Sequence, residues 1–273
     1  MRGKKPEYYP AGRKIKPSFV MMGAKGTARK KSGTMRRKPG LSVVVPCYNE
    51  GKNVPALFSR IRQVFGRVHW AEVIVVDNGS TDGSAKAIGR LAARQANVRV
   101  ARVKKNLGYG FGVWTGLKAA RGEFVGWTNA DLQADIADAL RAYDEIQKQE
   151  SPEMCFANGS RSGRPLFDAF FTAGMSAFET LLMGTYLCDI NAQPNVFHKS
   201  FLKKMRNPPL DFSFDLYAYC LAKKLGYSIV RIPVLFKARM HGVSHWNTGL
   251  AAKWKFIKRV FAYSVALKKR EGP

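Results

Sequence analysis

Leu41-Ser-Val-Val-Val-Pro-Cys-Tyr-Asn-Glu50 decides the fold: it is an apolar run of strand length that stops at turn-forming and acidic residues. β-Branched residues fit a pleated surface, and a short run without polar alternation fits a strand covered on both faces. The signature returns at Glu72-Val-Ile-Val-Val-Asp77, which ends in the turn Asn78-Gly79-Ser80. Val98–Val103 forms a third run leading into Asn106–Gly112, and Glu123-Phe-Val-Gly-Trp-Thr128 a fourth, ending in Asn129-Ala130-Asp131. The intervening segments have helical spacing over about 52–65, 82–95 and 113–120. Strands alternating with helices imply right-handed βαβ units and a mainly parallel α/β sheet.

In such sheets ligands bind beyond the carboxyl ends of the strands. Here those ends carry Tyr48-Asn49-Glu50, Asp77, Asn106 and Asp131, so every strand exit offers an acid or an amide. A dinucleotide site is excluded, because Pro46-Cys-Tyr-Asn-Glu50 follows the first strand where GxGxxG would stand. No GxxxxGK[ST] occurs, which excludes a P-loop. The run Gly108-Tyr-Gly110-Phe-Gly112 reads as a loop feeding a helix N-terminus, either approaching a ligand or merely turning.

Acids at the end of an interior strand suit a hard cation that bridges phosphate oxygens. Magnesium and manganese take oxygen ligands, often one or two carboxylates plus substrate phosphates. Asp131 with Gln133 could supply them, whereas Asp135 could begin the next helix at its positive end.

Outward from this core the charge becomes lopsided. The 273-residue chain carries a net charge of +27. Residues 1–39 hold 13 basic residues and 1 acidic, residues 40–198 hold 17 and 15, and residues 199–273 hold 16 and 3. A near-neutral body thus lies between two basic ends, and an anionic partner meets the ends. Cys47, Cys155, Cys188 and Cys220 form no CxxC pair and no disulfide framework, so they are expected reduced and mostly buried. The basic N-terminus lacks an apolar signal region, and no uninterrupted apolar stretch reaches the ~18–20 residues of a spanning helix. The expected location is intracellular.

The ordered set Val43-Val-Val-Pro-Cys-Tyr-Asn-Glu50, Val75-Val-Asp-Asn-Gly-Ser-Thr-Asp82, Asn106-Leu-Gly108 and Ala130-Asp-Leu-Gln133 resembles family 2 glycosyltransferases of the GT-A fold. Within that family it is most similar to the branch of dolichol-phosphate mannose synthase and the bacterial polyprenyl-phosphate glycosyltransferases. Arg239-Met-His-Gly-Val-Ser-His-Trp246 resembles that branch's R-x-x-G-x-S-K-[WY] element, and the likeness runs over about residues 41–247. The resemblance implies a GT-A fold with helices flanking the central sheet, a nucleotide-diphospho-sugar donor and a divalent metal, Mg or Mn. It implies that Pro46, Tyr48, Glu50 and Asp77 hold the nucleoside, with Asn49, Asn106 and Asn129 completing the donor site. Asp131 and Gln133 would hold the metal and diphosphate, and Arg239 and Ser244 would close over the diphosphate. Arg161 would lie near an acceptor phosphate, with Gln193 also on the acceptor side. Asp131, Arg239 and Asp215 are the catalytic candidates.

Two positions depart from the family pattern. Asn129 stands where the first Asp of a D-x-D element is usual, removing one negative charge from the metal site, and His245 stands where Lys is usual. His241 and His245 make no zinc pair, because Gly242 interrupts a helix and no HExxH occurs. In relatives with sugar acceptors, a carboxylate in the Asp211–Asp215 region deprotonates a hydroxyl. A phosphate acceptor is already anionic and needs no strong base, so Asp215 is either a base or the cap of the helical stretch that follows it.

The expected organisation is a basic flexible arm over 1–39, a GT-A domain over 40–247, and a basic amphipathic helix and tail over 248–273. On a helical wheel Leu250, Trp254, Ile257 and Phe261 share an apolar face with Phe256, Val260, Tyr263 and Leu267, opposite Lys255 and Arg259. That is the signature of an interfacial helix, although the same face could pack on the enzyme or pair two subunits into a homo-oligomer. Leu166–Leu187 is a second candidate for shallow insertion. The leading expectation is an inverting hexosyltransferase, peripheral on the cytoplasmic face of the membrane, that glycosylates a polyprenyl phosphate. The second is a family 2 enzyme with a saccharide or lipopolysaccharide acceptor. A basic nucleic-acid-binding protein is the alternative from another class, but no helix-turn-helix, zinc finger or RNA-recognition signature accompanies the charge, so no specific nucleic acid is expected.

Overall fold

The computed structural model describes Phe19–Met22, residues 38–163, 174, 179–182, 184, 186–237, 239 and 265. Among these residues eight strands form one sheet: β1 (Phe19–Met22), β2 (Leu41–Cys47), β3 (Ala71–Asp77), β4 (Val98–Val103), β5 (Phe124–Trp127), β6 (Cys155–Ser162), β7 (Asn195–His198) and β8 (Ser228–Leu235). Their order is β1-β4-β3-β2-β5-β7-β6-β8. Strands β4, β3, β2 and β5 run parallel, and β7 is inserted antiparallel between β5 and β6.

The unbroken apolar runs are interior strands, as their composition requires. Val43, Val45, Val73 and Val75 enter one core, while Val44, Ile74 and Val76 enter the other. Successive side chains of a strand point to opposite faces, so both faces are covered. Helices α1 (Val54–Phe65), α2 (Ser84–Ala92) and α4 (Ala137–Gln147) supply the first core; α3 (Tyr109–Ala119) and α5 (Phe214–Lys224) supply the second. In α1 the buried residues Val54, Leu57, Phe58, Ile61 and Phe65 fall at helical spacing, which makes one apolar stripe. Asp135 does begin α4, its Oδ1 accepting the Ala137 N–H at 3.0 Å.

Helix α3 begins at Tyr109, four residues before the expected start, so Gly110 and Gly112 lie inside it. The glycine run admits protein rather than ligand. A Cβ on Gly110 would lie 2.8 Å from Asp211 O, one on Gly112 2.9 Å from the Asn78 side chain, and the Phe111 N–H donates to Leu210 O at 3.0 Å. Gly108 precedes the helix at φ +118°, a conformation open to glycine alone.

A second difference lies in the basic arm. Phe19–Met22, its only apolar patch, is an edge strand antiparallel to β4, with Met21 packed on the second core. The segment gains a ladder of backbone hydrogen bonds along β4 and packs Met21 on the core, while Val20 stays 60% exposed. Most of the expected C-terminal amphipathic helix and of Leu166–Leu187, together with His241, Ser244 and His245, lies outside the described residues. Among the described residues no helix is long and apolar enough to cross a membrane. Cys47, Cys155 and Cys220 are buried and Cys188 half-buried, all four as free thiols.

Candidate active site

The chain passes from β2 to β3 and β4 on one side of the sheet, then returns to place β5 on the other side of β2. That reversal opens a crevice beyond the carboxyl ends of β2 and β5, where Glu50 and Asp131 lie. Asp131 is 5% exposed. Its Oδ1 accepts the Gln133 N–H at 3.2 Å, and its Oδ2 pairs with Arg239 Nη2 at 2.7 Å. Arg239 Nη1 also faces Glu50 Oε1 at 3.6 Å. One guanidinium thus bridges the two carboxylates. Glu50 accepts a hydrogen bond from Asn53 Nδ2 at 2.5 Å. Burial, aided by Asp131 and Asp82, holds the Glu50 carboxyl above its ordinary pKa against the opposing pull of Asn53 and Arg239.

Gln133 is tied away from the carboxylates: its Nε2 donates to Lys237 O at 3.2 Å, and its carbonyl accepts the Lys237 N–H at 2.8 Å. These two bonds anchor the segment that carries Arg239 to the β5 exit. Among the described residues no group of three or more His, Cys, Asp or Glu is arranged to hold a metal. A single carboxylate flanked by a second is nevertheless enough for a cation whose remaining ligands are phosphate oxygens and water. Arg239 neutralises the site in the structure, and the carboxylate oxygens of Asp131 and Glu50 are of the donor type that suits a divalent ion.

The expected donor-binding residues line the other strand exits. Asp77 is buried, accepting from Arg102 Nε at 3.0 Å and from the Ser80 N–H at 3.0 Å. Asn49, at φ +55°, accepts the Thr81 N–H at 2.9 Å, which joins the β2 and β3 exits. Tyr48 is 38% exposed beside them, and Pro46 is the half-buried penultimate residue of β2. Asn106 turns its Oδ1 back to the Gly108 N–H at 2.8 Å, while Asn129 is half-buried two residues before Asp131.

Asp215 and Gln193 come together in a separate cluster. Asp215 is 5% exposed in the first turn of α5, and its carboxylate caps nothing there. Instead it accepts from Trp127 Nε1 at 2.9 Å, Gln193 Nε2 at 3.3 Å and the Tyr109 hydroxyl at 3.4 Å. Gln193 Nε2 also donates to the Tyr109 hydroxyl at 2.6 Å. Burial pushes the Asp215 pKa up to about 7, although those donors and the nearby Arg161 charge pull it down. Arg161 itself is engaged: its guanidinium grips Asp189, whose Oδ2 accepts the Arg161 N–H at 2.7 Å, and it lies 5.3 Å from the Phe236 ring centroid.

Sequence reasoning did not single out Tyr109, Trp127 or Asn53. Tyr109 was hidden in the glycine run, and Trp127 read as core. Asn53 offered only its position three residues after Glu50.

Residues 42–165 match the family model described as Glycosyl transferase family 2. Over that segment the chain is similar to family 2 glycosyltransferase domains. It is 27% identical over 216 residues to a dolichyl-phosphate beta-glucosyltransferase of Dictyostelium discoideum, covering 71% of this chain and 65% of that protein. A dodecaprenyl-phosphate galacturonate synthase of Rhizobium johnstonii is 25% identical, covering 76% of this chain and 62% of its own length. The chain thus spans a little under two thirds of the length of these curated relatives. A mannosyltransferase from Pyrobaculum calidifontis, solved with GDP-Man and Mn2+, superposes with a TM-score of 0.61 at 20% identity over 86% of this chain and 66% of that one. The likeness establishes a shared GT-A fold.

Proposed function

We propose that this protein transfers a hexose, with inversion, from a nucleotide-diphospho-sugar to a polyprenyl phosphate at the cytoplasmic face of a membrane. The observation that carries the reading is the Asp131–Arg239–Glu50 cluster at the switch point of a family 2 sheet. Carboxylates and a guanidinium in one crevice are the groups needed to hold a cation and a diphosphate together. Mg or Mn bound at Asp131 would neutralise the diphosphate as it departs. The chain's own residues do the rest. Asp131 holds the cation, Gln133 keeps the Arg239 segment against the β5 exit, and Arg239 donates to diphosphate oxygens once they arrive. Asp77, Asn49 and Tyr48 frame the nucleoside; Asn106, Asn129, Pro46 and Ser244 complete the donor site.

Asp215 supports the phosphate acceptor over the saccharide acceptor. A carboxylate that is buried and already meets three donors is poorly placed to collect a proton from a hydroxyl. A phosphate nucleophile needs none collected. We assign Arg161 and Gln193 to that acceptor side, since Arg161 is within electrostatic range of Asp215 and Gln193 is bonded to it. The names of the two curated relatives, both polyprenyl-phosphate enzymes, point the same way. The basic ends are suited to anionic lipid headgroups. The test is a panel of UDP- and GDP-sugars, with and without polyprenyl phosphate, assayed for glycolipid and released nucleotide. Lipid-linked sugar formed only with the phosphate acceptor is expected. Transfer to free saccharides instead would select the second reading.

A further inference from the structure

We infer that Arg239 is the resident counter-cation of Asp131, so that it competes with the metal for that carboxylate until a diphosphate draws it away. The inference rests on the metal-dependent reading above and adds how the site is loaded. Four features lead to it. Arg239 Nη2 lies 2.7 Å from Asp131 Oδ2, and Nη1 of the same guanidinium lies 3.6 Å from Glu50 Oε1. With Asn129 in place of an acid, Asp131 is the one carboxylate of the Asn129–Gln133 turn, and a cation already neutralises it. The backbone beside Arg239 is held independently by the Gln133–Lys237 bonds, so the guanidinium can change partners without moving its segment away. Finally, Arg239 Nε is buried and has no hydrogen-bond acceptor among the described residues, which leaves a donor for an incoming oxygen anion.

Two cations cannot share Asp131 Oδ2 at bonding distance without strong mutual repulsion. Mn2+ arriving alone must therefore displace the guanidinium into a site that, among the described residues, offers it Glu50. A nucleoside diphosphate changes that exchange, because its oxygens accept Arg239 in bidentate geometry while also ligating the metal. Metal and diphosphate should then bind synergistically, each strengthening the other by the same factor. Arg239 is in this respect a positioning residue for the cation as well as a contact for the donor.

The experiment measures Mn2+ binding by electron paramagnetic resonance, alone and with saturating UDP or GDP, for wild type, Arg239→Gln, Arg239→Lys and Asp131→Asn. Arg239→Gln should bind Mn2+ alone about tenfold more tightly than wild type, within the ordinary range of such couplings, and should show a smaller gain on adding nucleotide. Arg239→Lys, a point charge that cannot span both carboxylates, should fall between them. Asp131→Asn should lose the site in every state. If both wild type and Arg239→Gln bind Mn2+ in the presence of nucleotide, but Arg239→Gln binds it alone no more tightly than wild type, the competition is overturned while the metal reading stands. Absence of Mn2+ binding by any variant in any combination would overturn the metal reading itself.

Discussion

Asp131 and Asp215 are both buried carboxylates, yet their surroundings assign them opposite chemistry. Asp131 faces a cation at the mouth of the crevice, whereas Asp215 faces neutral donors below it. Asp131→Asn should therefore reduce turnover by about a hundredfold or more, the scale of losing one electrostatic stabiliser of developing charge, while a thermal melt stays cooperative. Asn129→Asp restores a negative charge to the same turn and should lower the Mn2+ concentration needed for half-maximal activity. At Asp215 the relevant quantity is stability. Its native pKa, about 7, lies above its ordinary value of 3.8, so the native state holds the proton longer than the unfolded chain. The resulting stability is present at low pH and is lost as pH rises through that interval. Asp215→Asn carries no such proton, so its melting temperature relative to wild type should rise between about pH 4 and pH 7 and level off above. A constant difference across that range would mean that Asp215 is solvated. On a polyprenyl phosphate acceptor the same variant should keep a substantial part of its rate. A loss of about 10²-fold or more, with donor binding intact, would restore the base role.

At the scale of elements, the first four parallel strands and their helices were legible because each is a self-contained periodic signal. Helix α3 was misplaced for a local reason: three glycines at its start carry low helix propensity, and the spacing gives no hint that residues 209–211 pack against Gly108 and Gly110. Once that segment is in place, its carbonyls set the size limit. Gly110→Ala would put a methyl group 2.8 Å from Asp211 O and should cost about 1–3 kcal/mol, read as a lower denaturant midpoint with an unchanged slope. Strand β1 has the reverse history. Four apolar residues in a highly charged arm are too few to announce a strand, but they suffice to add one to the exposed edge of β4.

For the whole molecule the decisive feature is where the charge lies. The parallel half of the sheet belongs to a near-neutral body, and the excess of Lys and Arg falls at the chain ends. Sedimentation with anionic liposomes should exceed that with neutral ones and should weaken at high salt, since each basic residue near the surface contributes at most about 1 kcal/mol and is screened. Removing residues 1–18 should reduce this association while keeping turnover on a detergent-solubilised acceptor. Removing 1–39 also deletes β1 and uncovers the β4 edge, so it should lower the melting temperature as well. Equal recovery in the supernatant with every lipid composition would refute membrane attachment.

Sequence alone determined the parallel half of the sheet, the acids and amides at its exits, and the family they resemble. Each of these is written in short, contiguous segments whose periodicity is read locally. Tertiary structure alone decided the partners. Asp131 and Arg239 are 108 residues apart, Tyr109 and Asp215 are 106 apart, and Trp127 and Asp215 are 88 apart. Whether Asp215 capped its helix or entered a buried cluster, and whether Arg161 stood free or gripped Asp189, followed from the strand order and from α5 packing beneath β5. No local pattern encodes such choices, because they depend on which distant segments the hydrophobic cores bring together.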